Sequence, residues 1–222
     1  MGSSEKSDSA KFLWVVVFEI FLYVSLDVIS QLLPPHYSSI SQAESDLAVG
    51  KYGLIMSINF LNRGILSLLF IFAFLRTLDW LGVTRQQFRA GTYLLGAWAV
   101  GAILLAIFPT DVPATPVSWH GAIHLAVALV AFIGGAFGAL IFAQKLQKVH
   151  ELRGLSRLAM PLSVLAVILW IIEFLSFIAP HLNASIGGLI ERLFLGSVLF
   201  WIGTVSAYLA MHSHKVKIQE SK

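Results

Sequence analysis

Twelve of the fifteen Lys and Arg residues fall into four clusters: Lys6/Lys11, Arg76/Arg85/Arg89, Lys145/Lys148/Arg153/Arg157 and Lys215/Lys217/Lys222. Two apolar stretches separate each cluster from the next. Only Lys51 lies in the alternate connections, and Arg63 and Arg192 sit inside apolar runs. Positive residues resist translocation and collect on the cytoplasmic side of a membrane. The pattern therefore predicts six crossings with both termini in the cytoplasm. The expected fold class is all-α: a polytopic bundle of six transmembrane helices in the cell (inner, cytoplasmic) membrane. It has a cytoplasmic tail over 1–11, a membrane domain over 12–211 and a second cytoplasmic tail over 212–222.

Hydrophobic residues make up 57% of the chain and mean hydropathy is +0.81, far above the balance of a soluble domain. A net charge of +3 in a soluble protein would suggest nucleic acid. Here the basic clusters explain it, because they meet anionic lipid headgroups, and no nucleic-acid partner is expected. The absence of Cys excludes disulfides, thiolate metal sites and cysteine nucleophiles. Eleven mostly polar residues precede an apolar run too long for a signal-peptide core, so no cleavable signal is expected.

A spanning helix needs about 20 mainly apolar residues. Six segments meet this: Phe12–Leu33, Tyr52–Leu75, Gly91–Phe108, Trp119–Ala143, Met160–Pro180 and Leu189–Met211. Pro34-Pro35 stops the first and Pro109 the third, while Pro161 is expected in the first turn of the fifth. Pro113 and Pro116 keep the following connection extended. The longest connection on the outer side, His36 to Gly50, suits a short interfacial helix capped by Ser39 or Ser41. Gly134, Gly135, Gly138, Gly187, Gly188 and Gly196 are expected where helices approach closely.

Ionisable groups near the bilayer centre cost about 2.5–3.5 kcal/mol each on insertion scales, so they face the bundle interior and find partners. Asn59, Asn62, Arg63 and Ser67 share one face of the second span, and Tyr23, Asp27, Ser30 and Gln31 one face of the first. Glu173 lies in the fifth span and Glu191-Arg192 opens the sixth. An ion pair of Arg63 with Asp27 or Glu173 is expected, because an unpaired buried guanidinium is far costlier than a paired one. The number of polar groups in the outer half exceeds what one structural bridge requires, and this points to a polar cavity.

His120 and His124 stand one helical turn apart, a spacing that can hold one divalent metal. A third ligand would come from Asp111, His36, Glu44, Asp46 or His181; with Asp111 the two histidines would make a zinc site, and Glu44 or Asp46 would serve as general base of a hydrolase. The other reading is a pair of interfacial histidines bonded to loop backbone, beside Trp119 as a membrane anchor.

The elements Tyr37-Ser38-Ser39-Ile40-Ser41, Glu44-Ser45-Asp46-Leu47, Asn59-Phe60, Arg63-Gly64, Phe108-Pro109-Thr110-Asp111, and His120-Gly121 with His124 occur in this order over nearly the whole chain. Together they resemble the DUF998 family of prokaryotic six-helix membrane proteins. A looser likeness is to Frag1/DRAM/Sfk1-type membrane proteins, which are linked to lipid organisation. The resemblance implies that the motif residues belong together and supplies no substrate.

Three functions remain open. The first is a non-enzymatic protein whose outward-facing pocket binds a lipid headgroup or a small polar or anionic ligand. There Arg63 and Arg192 would hold the anion, Asn59 and Asn62 would donate hydrogen bonds, and Asp27 and Glu173 would complete the site. The second is the zinc-dependent hydrolase, and the third a small transporter or transporter subunit with Asp27 and Glu173 relaying protons. Membrane lipids are partners in each.

Overall fold

The computed structural model describes residues 3–112 and 115–219, with side chains over 8–112 and 115–212. Pro113 and Lys222 lie outside the described residues, as do the side chains of Lys6, His214, Lys215 and Lys217. Six α-helices form: α1 (Ser3–Leu32), α2 (Gly53–Trp80), α3 (Arg89–Ile107), α4 (Trp119–Leu146), α5 (Arg153–Phe177) and α6 (Pro180–Gln219). Each contains a stretch long and apolar enough to cross a membrane. Consecutive helices pack on one another and α1 closes against α6, which gives an up-and-down ring. One end of the ring therefore carries residues 81–88 and 147–152, the start of α1 and the end of α6. Arg76, Arg85, Arg89, Lys145, Lys148, Arg153 and Arg157 gather there. The opposite end carries 33–52, 108–118 and 178–179 and holds the site.

Helix ends differ from expectation most at the starts of α5 and α6 and in the two tails. α5 begins at Arg153, so Pro161 lies inside the helix rather than in its first turn. Pro161 has no N–H, so one i→i−4 bond is missing there. α6 begins at Pro180, so the whole segment expected to connect the last two spans, 181–188, is helical. Proline suits a first helical position, and Ile178–Ala179 alone turns the chain. The polar tails continue α1 and α6 as helix wherever they are described.

The 33–52 connection holds a short 3-10 turn, Glu44–Ala48, whose N-cap is Ala43 with no side-chain cap. Ser39 and Ser41 thus do not cap it. Instead Ser38 Oγ accepts hydrogen bonds from Ser41 N–H (3.4 Å) and Ser41 Oγ (3.0 Å), which curls the segment back on itself.

Small residues line the α3–α4 crossing. A Cβ on Gly134 would strike the Leu94 carbonyl and one on Gly138 the Leu95 backbone and side chain, while Gly101 faces Ala131. Such positions let two backbones close together where dispersion, not water, drives association. Gly188 plays the same part for the connection, since a Cβ there would collide with the Gln42 backbone. Gly196 has no neighbour in reach and is no contact point.

Towards the basic end the interior is aromatic. Phe74 meets Phe142 (ring centroids 4.8 Å) and Phe88 (5.3 Å), and Phe142 meets Trp201 (6.1 Å). All are fully buried. Trp201 Nε1–H, the polar handle of this cluster, donates to the Ala159 carbonyl at 3.1 Å.

Candidate functional site

The 36–48 segment folds inward over the bundle, and two arginines hold it. Arg63, on α2, is 1% exposed. Its Nη1 lies 3.5 Å from Glu44 Oε2 and donates to Tyr23 Oη at 3.2 Å. Tyr23, on α1, in turn donates to Glu44 Oε1 at 2.5 Å. The guanidinium also lies over the rings of Trp98 (4.9 Å), Phe60 (5.1 Å) and Tyr23 (5.8 Å), contacts that strengthen when desolvated. Trp98 Nε1–H donates to Ser67 Oγ (3.1 Å), and Ser67 Oγ donates to the Arg63 carbonyl (2.8 Å). The expected partners of Arg63 were Asp27 or Glu173; the structure gives Glu44 instead. A loop residue reaches the buried arginine because the 36–48 segment turns inward rather than lying along the surface.

Arg192, on α6, is used differently. Its Nη1 donates to the carbonyls of Gln42 (3.1 Å), Gly188 (3.2 Å) and Ser39 (3.3 Å), and its Nη2 to Tyr37 Oη (2.6 Å). Tyr37 shares its own proton between the Gln42 (2.8 Å) and Ala43 (2.6 Å) carbonyls. Burial holds the Tyr37 hydroxyl above its ordinary pKa. Asp27 Oδ1 lies 3.8 Å from Arg192, and its Oδ2 accepts from Gln31 Nε2 at 2.6 Å. Two further bonds finish the attachment: Leu189 N–H donates to the Ile40 carbonyl (2.9 Å), and Glu44 N–H to Glu191 Oε2 (2.9 Å). Asn59 and Asn62 donate to backbone carbonyls of α1, those of Tyr23 (3.0 Å) and Glu19 (3.3 Å). They tie α2 to α1.

Beside this network lies a cavity of about 620 Å³, a size typical of small-molecule sites. Glu44, Asp46, Glu173, Glu191, Arg63 and His124 form its polar end. Leu125, Leu129 and Phe132 of α4 and Trp170, Phe174 and Phe177 of α5 form its apolar walls. Burial pushes the Glu44 carboxyl up to about 7 against the attraction of Arg63, and Asp46 is raised by the same cause. Of the sequence-predicted site residues, Arg63, Glu44, Asp46, Glu173 and His124 meet at this cavity. Arg192, Asp27, Asn59, Asn62, Asp111 and His120 are not in its wall.

The histidine pair divides. His124 Nδ1 lies 2.7 Å from the Phe108 carbonyl; a carbonyl only accepts, so Nδ1 carries the proton. His120 Nδ1 stands 3.7 Å from Asp111 Oδ1, beyond hydrogen-bond distance. Asp111 instead accepts from Ser118 Oγ (2.6 Å) and Ser118 N–H (2.8 Å), which holds its carboxyl below the usual range. Ser118 caps α4 by accepting from Gly121 N–H at 3.1 Å. Among the described residues no three His, Cys, Asp or Glu side chains converge as metal ligands. Asp111 fixes a helix start in this arrangement.

A family model described as a protein of unknown function, DUF998, matches residues 19–208. The chain belongs to the DUF998 family. That match reaches all six helices and includes both arginine-held attachments, leaving out residues 3–18 of α1 and 209–219 of α6. No curated protein and no solved structure matches the chain.

Sequence reasoning undervalued Tyr37, Trp98, Trp170 and Glu191. The tyrosine stood inside the motif that carried the family resemblance, and Glu191 stood next to Arg192. Both positions were signals. Trp98 and Trp170 gave none, because an aromatic residue in an apolar run reads as lipid contact.

Proposed function

We propose that this DUF998 protein is a membrane-embedded binding protein that takes one amphiphile, a lipid or a lipid-like molecule, from the bilayer into the cavity between α4 and α5. The carrying observation is that apolar residues of the cavity wall on α4 and α5 remain accessible: Leu125 44%, Leu129 46%, Phe174 42% and Phe177 59%. A wall open to the lipid side admits a chain that never has to cross water. The polar end lies where the infolded 36–48 segment brings Glu44 and Asp46, so a bound molecule keeps its head at that end and its chain along Leu129, Phe132 and Trp170. The basic clusters orient the bundle with this end outward, away from the cytoplasm.

A lipid carrying a photoreactive group in its acyl chain tests the reading. Saturable adducts on residues 125–132 and 170–177, competed by excess unlabelled lipid and lost in Ala128→Trp, are expected. Labelling spread over every lipid-facing helix and insensitive to competition would contradict it. For orientation, cysteines at His36 and Gln86 are suitable because both positions are exposed, whereas Ser156 is buried in α5. His36→Cys should react in intact cells and Gln86→Cys only after permeabilisation.

A further inference from the structure

Moving a hydrocarbon chain from the bilayer to the Leu, Phe and Trp walls gains little, because lipid tails are as apolar as those side chains. Discrimination between amphiphiles must therefore come from the polar end. Four carboxylates line it, Glu44, Asp46, Glu173 and Glu191, against the single guanidinium of Arg63. That guanidinium is already committed, to Glu44 at 3.5 Å, to Tyr23 Oη and to three aromatic rings. Arg192, the other cation expected to hold an anion, directs Nη1 and Nη2 at three carbonyls and Tyr37.

Several acceptors at the polar end remain unused. Glu44 is 2% exposed, yet its Oε2 accepts no hydrogen bond. Glu173 Oε2 also accepts none, and among the described residues no cation pairs with it. His124, with its proton on Nδ1, presents Nε2 as a further acceptor when the ring is neutral. Glu173 stands three residues from Trp170, hence on the same face of α5. Trp170 is stacked with Phe174 (ring centroids 5.9 Å), and both rings line the cavity. Carboxylate beside aromatic face is a receptor for a positively charged nitrogen. A phosphate or carboxylate head would find acceptors there and, among the described residues, no uncommitted cation.

On the reading of the cavity as an amphiphile site, we propose that its polar end selects an ammonium head, with Glu173 and Asp46 accepting its N–H bonds and Trp170 packing against it. The ammonium could come from an aminolipid or from a free amine in solution, and the chemistry at the head is the same.

Intact-complex mass spectrometry of the full chain in neutral detergent near pH 7 separates these cases, with four probes: dodecylamine, dodecanol, dodecyl phosphate and ethylamine. One retained dodecylamine per chain, half-saturating at a concentration at least about tenfold below that of dodecanol, with dodecyl phosphate no better than dodecanol, supports the proposal. In Glu173→Gln the amine advantage should largely vanish while dodecanol binding stays. If that variant does not fold, Asp46→Asn is read in its place. Equal retention of all three long-chain probes overturns the ammonium selectivity and leaves the amphiphile cavity standing. Stronger retention of the phosphate overturns it as well. Ethylamine bound as tightly as dodecylamine supports the ammonium site and overturns entry from the bilayer. No retention of any probe overturns both.

Discussion

The two ends of this bundle are built on opposite principles. Towards the basic end, Phe70, Phe74, Phe88, Phe142 and Trp201 fill the interior ring against ring, with one indole N–H bonded to a backbone carbonyl. At the other end the interior is occupied by Arg63, Glu44, Tyr23 and Asn59, with an open cavity beside them. The first end closes mainly by ring packing. The second is held by charge-assisted hydrogen bonds and keeps unused acceptors. A membrane protein that needed only stability would repeat the aromatic packing throughout. Expensive groups kept at one end, next to space, are what the proposed amphiphile site rests on.

The largest expected effects break each end by its own mechanism. Arg63→Ala leaves Glu44 buried without its cation and should cost about 3–5 kcal/mol, a fall in Tm on the order of 10 °C in detergent. Phe142→Ala opens a void in the aromatic end and should cost a similar roughly 3–5 kcal/mol, but without altering amphiphile retention. The double change Arg63→Met with Glu44→Gln should cost clearly less than the sum of its parts. Additive losses would mean that the two side chains are not a coupled pair.

A smaller effect follows from pH. In the folded protein burial raises the Glu44 carboxyl to about 7, above the 4.5 of a free glutamate, although Arg63 and the Tyr23 hydrogen bond pull it down; Asp27 and Glu191 push it up. The native state then binds the proton more tightly than the unfolded chain. Stability is therefore fully present below about 4.5 and declines as pH rises through about 7. Asp46 is shifted in the same direction and adds to the trend. Asp111 is shifted downward, so its contribution is lost only in acid below the ordinary 3.8. Melting temperature should rise as pH is lowered from 8 to 5, and Glu44→Gln should flatten that slope. An unchanged slope in the variant assigns the effect to another group.

The smallest effect probes the border of the two regions. Trp98→Phe keeps an aromatic ring over Arg63 but removes the bond to Ser67 and part of the buried indole. A loss of about 1 kcal/mol is expected, read as a fall of roughly 2–4 °C. A much larger loss would mean that the indole's bulk, rather than its N–H, supports the guanidinium.

The difference between the ends also explains what could be read from sequence. The six spans were legible because apolar length and basic clusters are local properties, and the structure has a helix at each. That Arg63, Glu173 and His124 face the interior followed from the cost of burying them. Their partners did not follow. Glu44 reaches Arg63 only because the 36–48 segment folds inward, and that depends on Arg192 and on the missing Cβ of Gly188, contacts made across roughly 150 residues of chain. His124 was expected beside Asp111, but Phe108 and Ser118 take the two side chains separately, and nothing in their spacing announced it. Pro161 misled in the same way. A proline in a long apolar helix is tolerated at a position where sequence rules place a helix start.

The most direct test is a density map of the protein in nanodiscs formed with the lipids it was extracted with. Elongated density is predicted along Leu129, Phe132, Trp170 and Phe174, with its head between Glu173 and Asp46 and with Glu44 still on Arg63. A bundle in which α4 and α5 close on each other and eliminate the cavity would contradict the account.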